Sequence, residues 1–269
     1  MCQHLGVSTS GYYDWRGRGP SDRAKYDAVL VDQIKQMHKG HVRNYGAIRV
    51  HPYLKARKIS CSRRRINRLM KAHGFRSSYH AHRSNRRAKG SAPVSNNILA
   101  TLPKAEKAGQ QWAGDMTYIK TKEGEVYMAT VLDLFTRKVI GWAFARTHDA
   151  NLVKGALDMS LATEGRHEGC IFHSDQGAEY RSDIYSAAVS SAGMVSSMSR
   201  PGTPTDNAYV ESFFKTLKNE LVHHWKFNSI VECVARIVDY IEFYNTRRLH
   251  SGLNYKSPND YQMQYAMCP

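Results

Sequence analysis

From Gln111 to Met198 the apolar residues change period in a set order, and that order restricts the fold more than any other feature of the chain. Gln111 to Thr121 alternates, with Trp112, Met116 and Tyr118 on one face and Ala113, Asp115, Thr117 and Ile119 on the other. Lys122-Glu123-Gly124-Glu125 has hairpin-turn composition, and Val126 to Phe135 reads as a second strand. Thr136-Arg137 turns into a third strand over Lys138 to Arg146. Asp149 then caps a helix to about Glu164, and a short apolar run, Cys170 to Ser174, follows as a fourth strand. Ser182 caps a helix to Ala192, Met194 to Met198 is a fifth strand, and helices are expected from about Asp206 to His223 and from Ser229 to Tyr244.

Tight turns make the first three strands antiparallel. Strands separated by helices must join through crossovers and pair in parallel. The expected fold is therefore α/β, a mixed sheet of ribonuclease-H-like order with helices on its faces, over residues 109–269. Fold does not give function, so the activity has to be read from the site.

Charge separates this region from what precedes it. Residues 1–110 hold 23 Lys/Arg and 5 Asp/Glu, a balance of +18; residues 111–269 hold 16 and 18, a balance of −2; together they give the chain's +16. The first part is thus expected to meet a polyanion, with nucleic acid ahead of a membrane surface. Residues 1–20 read as an N-terminal arm in which Ser8 can cap a short helix. Residues 21–78 read as an all-α, helix-turn-helix-like domain. Ser21 caps a helix through His38, Asn44-Tyr45-Gly46 marks a turn, and Ile48 to Lys58 forms a helix with Pro52 in its first turn. Ser62 then caps a helix from Arg63 to His73 that Gly74 ends. Ile66, Leu69 and Met70 point inward there, and Arg63, Arg64, Arg65, Arg68 and Lys71 ring the other faces as DNA-binding candidates. A solvated basic face on a helical hairpin would look the same. Residues 79–108 are a basic linker with Arg83, Arg86, Arg87 and Lys89 among Ser, Asn, Gly and Pro.

The five cysteines are scattered without a CxxC pair, so neither a zinc finger nor a dithiol motif is indicated, and the set fits a reducing cytoplasm. No apolar run is long enough to span a bilayer. A soluble, cytoplasmic protein with no membrane partner is expected.

Three acids stand on elements that would be rigid. Asp115 is central on the first strand, Asp175 ends the fourth, and Glu211 lies in the helix after it, with 35 residues between Asp175 and Glu211. Val210, Phe213, Phe214, Leu217 and Leu221 make that helix's apolar stripe, and Glu211 sits on its edge, able to reach the sheet. Carboxylates so placed suit Mg²⁺ or Mn²⁺, which take oxygen ligands and leave positions for water and phosphate. Two such ions, about 4 Å apart, can serve the attacking and leaving oxygens of a phosphodiester. Lys215 and Lys218 follow Glu211 on one helical face and could hold a DNA backbone, although Glu211–Lys215 is equally well a surface pair. Asp206 reads mainly as a helix cap, and Asn207 as a cap that could also orient substrate. His173 reads as a satisfied buried histidine, and Asp133 as structural. His80 and His82 lack partner cysteines and read as surface.

These blocks carry a resemblance. Trp112-x-x-Asp115-x-Thr117-Tyr118-Ile119, His173-Ser174-Asp175-Gln176-Gly177-x-x-Tyr180 and Asp206-Asn207-Ala208-x-x-Glu211-Ser212-Phe213-Phe214-x-x-Leu217-Lys218 resemble the blocks of bacterial insertion-sequence transposases. The likeness is to the second-reading-frame (orfB) proteins of the insertion-sequence-three family, within the retroviral-integrase-like superfamily of Asp-Asp-Glu recombinases. Asp133-Leu134-Phe135-Thr136-Arg137-Lys138-x-x-Gly141-Trp142 and Tyr244-Asn245-x-x-Arg248-x-His250-x-x-Leu253-x-Tyr255-x-x-Pro258 agree with it, as does the stretch from Tyr45-Gly46 to Gly74. Glu179, Arg181 and Thr205 depart from the usual pattern.

The resemblance implies a metal-dependent polynucleotidyl transferase with Asp115, Asp175 and Glu211 as catalytic metal ligands and Lys218 on DNA near the element end. It implies DNA transposition, recombination and integration: cutting at the terminal inverted repeats of an insertion element, then joining the 3′-OH to target DNA by two-metal-ion transesterification. It also implies double-stranded DNA as partner, a homo-oligomer on that DNA, and an upstream-frame protein as fusion or partner. The alternatives are a ribonuclease-H-like nuclease, which would only hydrolyse, and a transposase-derived DNA-binding regulator using residues 1–90.

Overall fold

The computed structural model describes residues 2, 4–38, 45–77, 97–200 and 204–266. Asn44 of the expected turn, His80 and His82, the linker residues Arg83, Arg86, Arg87 and Lys89, and the loop residues 201–203 lie outside the described residues. The chain divides into two compact units, 1–77 and 78–269.

In the first unit the serines cap as their positions require. Ser8 Oγ accepts from Gly11 N at 3.0 Å and heads α1 (Thr9–Gly17), so the arm contains a helix, though one with no buried residue. Ser21 heads α2 (Asp22–Met37), and Ser62 heads α4 (Arg63–Ala72). Between them lies α3 (Ala47–Ala56). Pro52 is the sixth residue of α3 and not in its first turn, which corrects the expectation: the helix runs through a proline at the cost of one backbone bond. Leu30, Ile34, Tyr45, Val50, Leu54, Ile66, Leu69 and Met70 form the core. The α3–α4 turn closes with Lys58 at φ 61° and Ile59 N donating to Leu54 O at 3.0 Å. α4 ends the same way on Gly74, with Phe75 N donating to Met70 O at 2.9 Å.

In the second unit, among the described residues, a five-stranded sheet has the order β3-β2-β1-β4-β5. Its strands are β1 (Gln111–Thr121), β2 (Gly124–Asp133), β3 (Val139–Ala145), β4 (Ile171–Ser174) and β5 (Val195–Met198). β1–β2 and β2–β3 pair antiparallel, and β1–β4 and β4–β5 parallel, as turn lengths and crossovers require. α5 (Ala150–Glu164) is capped by Asp149, and α6 (Asp183–Ser191) by Ser182. α5 and α6 close one core with Trp112, Val131, Ile140, Leu157, Phe172 and Tyr185.

The long helix expected from Asp206 to His223 is in three pieces. A 3₁₀ turn, Pro204–Asn207, leads into α7 (Ala208–Glu220), and Leu221 (φ −124°, ψ −65°) breaks it before a second 3₁₀ turn, Val222–His224. α8 (Ile230–Thr246) starts on Ser229, and α9 (Pro258–Ala266) follows it, a helix the apolar periodicity did not show. The last part of the expected linker is built onto this unit: Gln111 Nε2 donates to Pro103 O at 2.8 Å, and Gln111 Oε1 accepts from Ala105 N at 3.2 Å.

Candidate active site

The parallel register pairs Gln111 with Ile171, Trp112 with Phe172 and Ala113 with His173. The last of these pairs, Ala113 with His173, stands two residues before Asp115 on one strand and two before Asp175 on the other. β1 carries its acid to this point because Gly114 lets Phe172 and Tyr180 pack against the strand: a Cβ there would meet Phe172 Cζ at 2.8 Å and the Tyr180 hydroxyl at 3.3 Å. Asp115 is half-buried, and its Oδ1 accepts from Met116 N at 2.7 Å. Asp175 keeps an exposed edge, and its Oδ1 accepts from Gly177 N at 2.9 Å. Desolvation by the packing beneath it pushes its pKa above the usual carboxylate value; the Gly177 amide opposes this, and the Glu179 charge adds to it.

α7 lies along β1. Asn207, at its N-terminal end, donates from Nδ2 to Gly114 O at 3.0 Å. Three turns later Lys218 Nζ stands 5.8 Å from the centre of the Tyr118 ring. Residues 207, 211 and 218 share one helical face, so half-buried Glu211 lies over the stretch of β1 that holds Asp115. The fold thus brings the elements bearing Asp115, Asp175 and Glu211 to one edge of the sheet. Among the described residues, no three Asp, Glu, His or Cys side chains already stand as a metal-binding group.

The other candidates are placed differently. Asn207 is buried and makes no capping bond; its amide faces β1, and its Oδ1 has no hydrogen-bond partner among the described residues. Asp206 does not cap α7. Its carboxylate takes Arg200 N at 3.0 Å, Nε at 3.1 Å and Nη2 at 3.1 Å, and the Arg200 hydrogen bond is the main reason its pKa is lowered. Lys215 is exposed beside Glu211. His173 is fully buried between Ser197 Oγ at 2.9 Å and Ser199 Oγ at 3.0 Å, and burial lowers its pKa to about 4. Asp133 organises the β2–β3 turn, accepting from Gly109 N, Phe135 N, Thr136 N and Thr136 Oγ1.

On α4, Arg63 and Arg64 are exposed. Arg65 and Arg68 both reach Asp27 of α2, at 2.6 Å each, and hold its carboxyl below the usual range. In the sequence Glu179 stands out only as a departure from the family's usual pattern. Its Oε2 would lie 2.8 Å from a Cβ on Gly177, where Asp175 Oδ1 would lie at 3.0 Å, so it is a fourth acid at this edge. Its position four residues after Asp175 was the available signal.

Residues 105–204 match the family model of an integrase core domain, residues 192–258 a second integrase core domain model, and residues 25–83 that of an HTH-like domain. The transposase for insertion sequence element IS904 of Lactococcus lactis subsp. lactis (strain IL1403) is 39% identical over 249 residues, covering 91% of this chain and 98% of the relative. Transposase InsF for insertion sequence IS3A of Escherichia coli (strain K12) is 35% identical over 274 residues, 97% of this chain and 92% of the relative. A chain of the simian T-cell lymphotropic virus intasome, solved with the PP2A regulatory subunit B56 gamma, superposes with a TM-score of 0.51 at 16% identity. It covers 87% of this chain and 74% of that one, a likeness of fold that agrees with the ribonuclease-H-like sheet. Among the described residues no helix is long and apolar enough to cross a membrane.

Proposed function

Because this chain belongs to the insertion-sequence-three family of transposases, enzymes of DNA transposition and recombination with an integrase core, we propose that Asp115, Asp175 and Glu211 form its catalytic centre. What supports this reading is the β1–β4 pairing together with the course of α7 along β1, by which the elements bearing these residues meet at one sheet edge.

The residues fit a hard divalent cation. Every donor is a carboxylate oxygen, the set Mg²⁺ or Mn²⁺ prefers. Desolvation, with a smaller contribution from the Glu179 charge, already raises the Asp175 pKa, and a cation bound there would favour its ionised form. When bound there, two such ions supply charge stabilisation for an in-line phosphodiester displacement. The three carboxylates hold that cation charge. Lys218, packed over Tyr118, and exposed Lys215 neutralise backbone phosphates on the same side of α7. Arg63 and Arg64 bind DNA from the helix-turn-helix-like unit.

The reaction is two displacements at phosphorus. Water cuts the phosphodiester at an element end and leaves a 3′-OH. That hydroxyl attacks a phosphodiester of target DNA, forming one bond as another breaks, with no covalent enzyme intermediate. Two ends must be joined together, which calls for an oligomer on DNA; an upstream-frame protein is the further partner.

The test is strand transfer with the element's own terminal repeats in Mg²⁺, comparing the wild type with Asp175→Asn. Cutting and joining by the wild type alone is expected. Cutting without joining would make the chain a nuclease, and equal products from both proteins would remove Asp175 from the centre.

A further inference from the structure

The first described residues after 78–96 bond the 3₁₀ turn ahead of α7 and strand β5, which adjoin elements that carry the acids. Asn97 Oδ1 accepts from Ala100 N at 3.0 Å, and the Asn97 side chain also hydrogen-bonds the Asp206 carboxylate. A carboxylate only accepts, so the Asn97 amide nitrogen is the donor to Asp206. Asp206 precedes Asn207, which is bonded to Gly114 O just ahead of Asp115, and α7 with Glu211 starts from there. Two residues after Asn97, Leu99 N donates to Ser197 Oγ at 3.1 Å. Ser197 Oγ is bonded to His173 Nδ1 at 2.9 Å, two residues before Asp175. His173 and Ser197 are fully buried, so this string is shielded from water.

We propose that Asn97 is a positioning residue: with Leu99 it clips the 3₁₀ turn that leads into α7 to strand β5 and so sets where Glu211 stands relative to the two aspartates. The inference rests on those three acids being the catalytic centre. Asn97 itself touches no reacting atom. It suits the task because one short side chain carries both an acceptor, used by Ala100, and a donor, used by Asp206.

Asn97→Asp separates this role from simple capping, since a carboxylate still accepts from Ala100 N but repels Asp206. The experiment uses the full chain, with Mn²⁺ binding measured by calorimetry without DNA. Mg²⁺-dependent cutting is then measured on a duplex carrying the inverted repeat that flanks the encoding frame. Asn97→Asp is expected to melt with the wild type, to bind Mn²⁺ about tenfold more weakly, and to cut roughly tenfold to a hundredfold more slowly at saturating duplex. Its half-saturating duplex concentration should be unchanged. Combining it with Asp206→Asn exchanges donor and acceptor and should recover Mn²⁺ affinity relative to Asn97→Asp alone.

Wild-type Mn²⁺ affinity and cutting in Asn97→Asp overturn the clip, as does slower cutting that tracks a lower melting temperature. Asp175→Asn tells the two readings apart. If it is inactive while Asn97→Asp is normal, only the clip fails; if it cuts normally, the reading of the centre fails and the clip with it.

Discussion

Arg248 and Glu220 form a two-pronged ion pair in the interior of the second unit, Nη2 to Oε1 at 2.8 Å and Nε to Oε2 at 3.0 Å. Arg248 is 3% exposed and Glu220 1%. The Tyr240 hydroxyl donates to the same Glu220 Oε2 at 2.8 Å, and Arg248 Nη1 lies 3.3 Å from His250 Nε2. The pair joins the last turn of α7 to the segment after α8, so it holds the far end of the helix that carries Glu211.

Breaking this pair from one side leaves a charge buried without its partner. Arg248→Met and Glu220→Leu should each cost about 3–5 kcal/mol, whereas the double variant should lie closer to the wild type than either single one. Urea denaturation of the full chain measures all three. Additive losses in the double variant would mean that the two side chains act independently.

Gly141 is where α5 rests on β3 without any intervening side chain. A Cβ at Gly141 would stand 2.2 Å from Ala156 O and 2.8 Å from Ser160 N, both backbone atoms of α5. Gly141→Ala should therefore destabilise by about 3 kcal/mol, the upper end of ordinary overpacking. Gly155→Ala is the control: its Cβ meets only the Ala143 methyl at 3.3 Å, and the helix interior favours Ala over Gly by about 1 kcal/mol. Near-neutral behaviour is expected there. Equal melting temperatures for the two variants would contradict this account.

Glu232 makes the start of α8 acid-sensitive. It accepts from Asn228 N at 2.9 Å, Trp225 Nε1 at 3.0 Å and Arg236 Nε at 3.3 Å, and its own N–H is taken by Ser229 Oγ at 3.1 Å. The Asn228 amide first, then Trp225 and Arg236, lower its pKa from 4.5 to about 2. The folded state thus holds its proton less tightly than the unfolded one. The stabilisation is fully present above pH 4.5 and is lost as pH falls towards 2. Glu232→Gln should flatten the melting temperature's pH dependence within that window. A wild-type pH profile in this variant would show that these Glu232 bonds contribute nothing there.

The strand order was readable because turn length and crossover length decide pairing direction, and both are local. That β1 lies next to β4 followed from the ribonuclease-H-like order as a whole and not from any one turn or crossover. What escaped depends on partners far away in the chain. Glu220 sits after Lys218 and Asn219 on an amphipathic helix and looks solvent-facing; its partner comes 28 residues later. The apolar stripe of α7 continues through Leu221, which gave no hint of the break there, because burial and not helix periodicity explains that leucine. Asp206 looked like a cap, and Arg200 six residues before it took the carboxylate instead. The basic face of α4 was visible as composition, but not its division, since Asp27 lies 38 residues before Arg65 and 41 before Arg68.

That division gives the last expectation, on DNA binding. Arg65 Nε and Arg68 Nη2 are each 2.6 Å from Asp27, Arg65 Nη2 donates to Arg23 O at 3.1 Å, and Arg65 lies over the Tyr26 ring. Arg65 therefore ties α4 to α2, and Arg65→Ala should lower the stability of the first unit, with any loss of DNA affinity following from that. Arg63 and Arg64 are exposed on the first turn of the same helix, and removing either leaves the α2–α4 contact intact. If each meets a phosphate, Arg63→Ala and Arg64→Ala should weaken binding to specific and random duplex alike and reduce the salt slope by about 1 each, without moving the melting temperature. A loss confined to the element's own sequence would make the arginine a base reader; an unchanged slope with unchanged affinity would take it out of the interface. Asp27→Asn separates the two kinds of arginine: it should destabilise the unit and leave the salt slope due to Arg63 and Arg64 as it was.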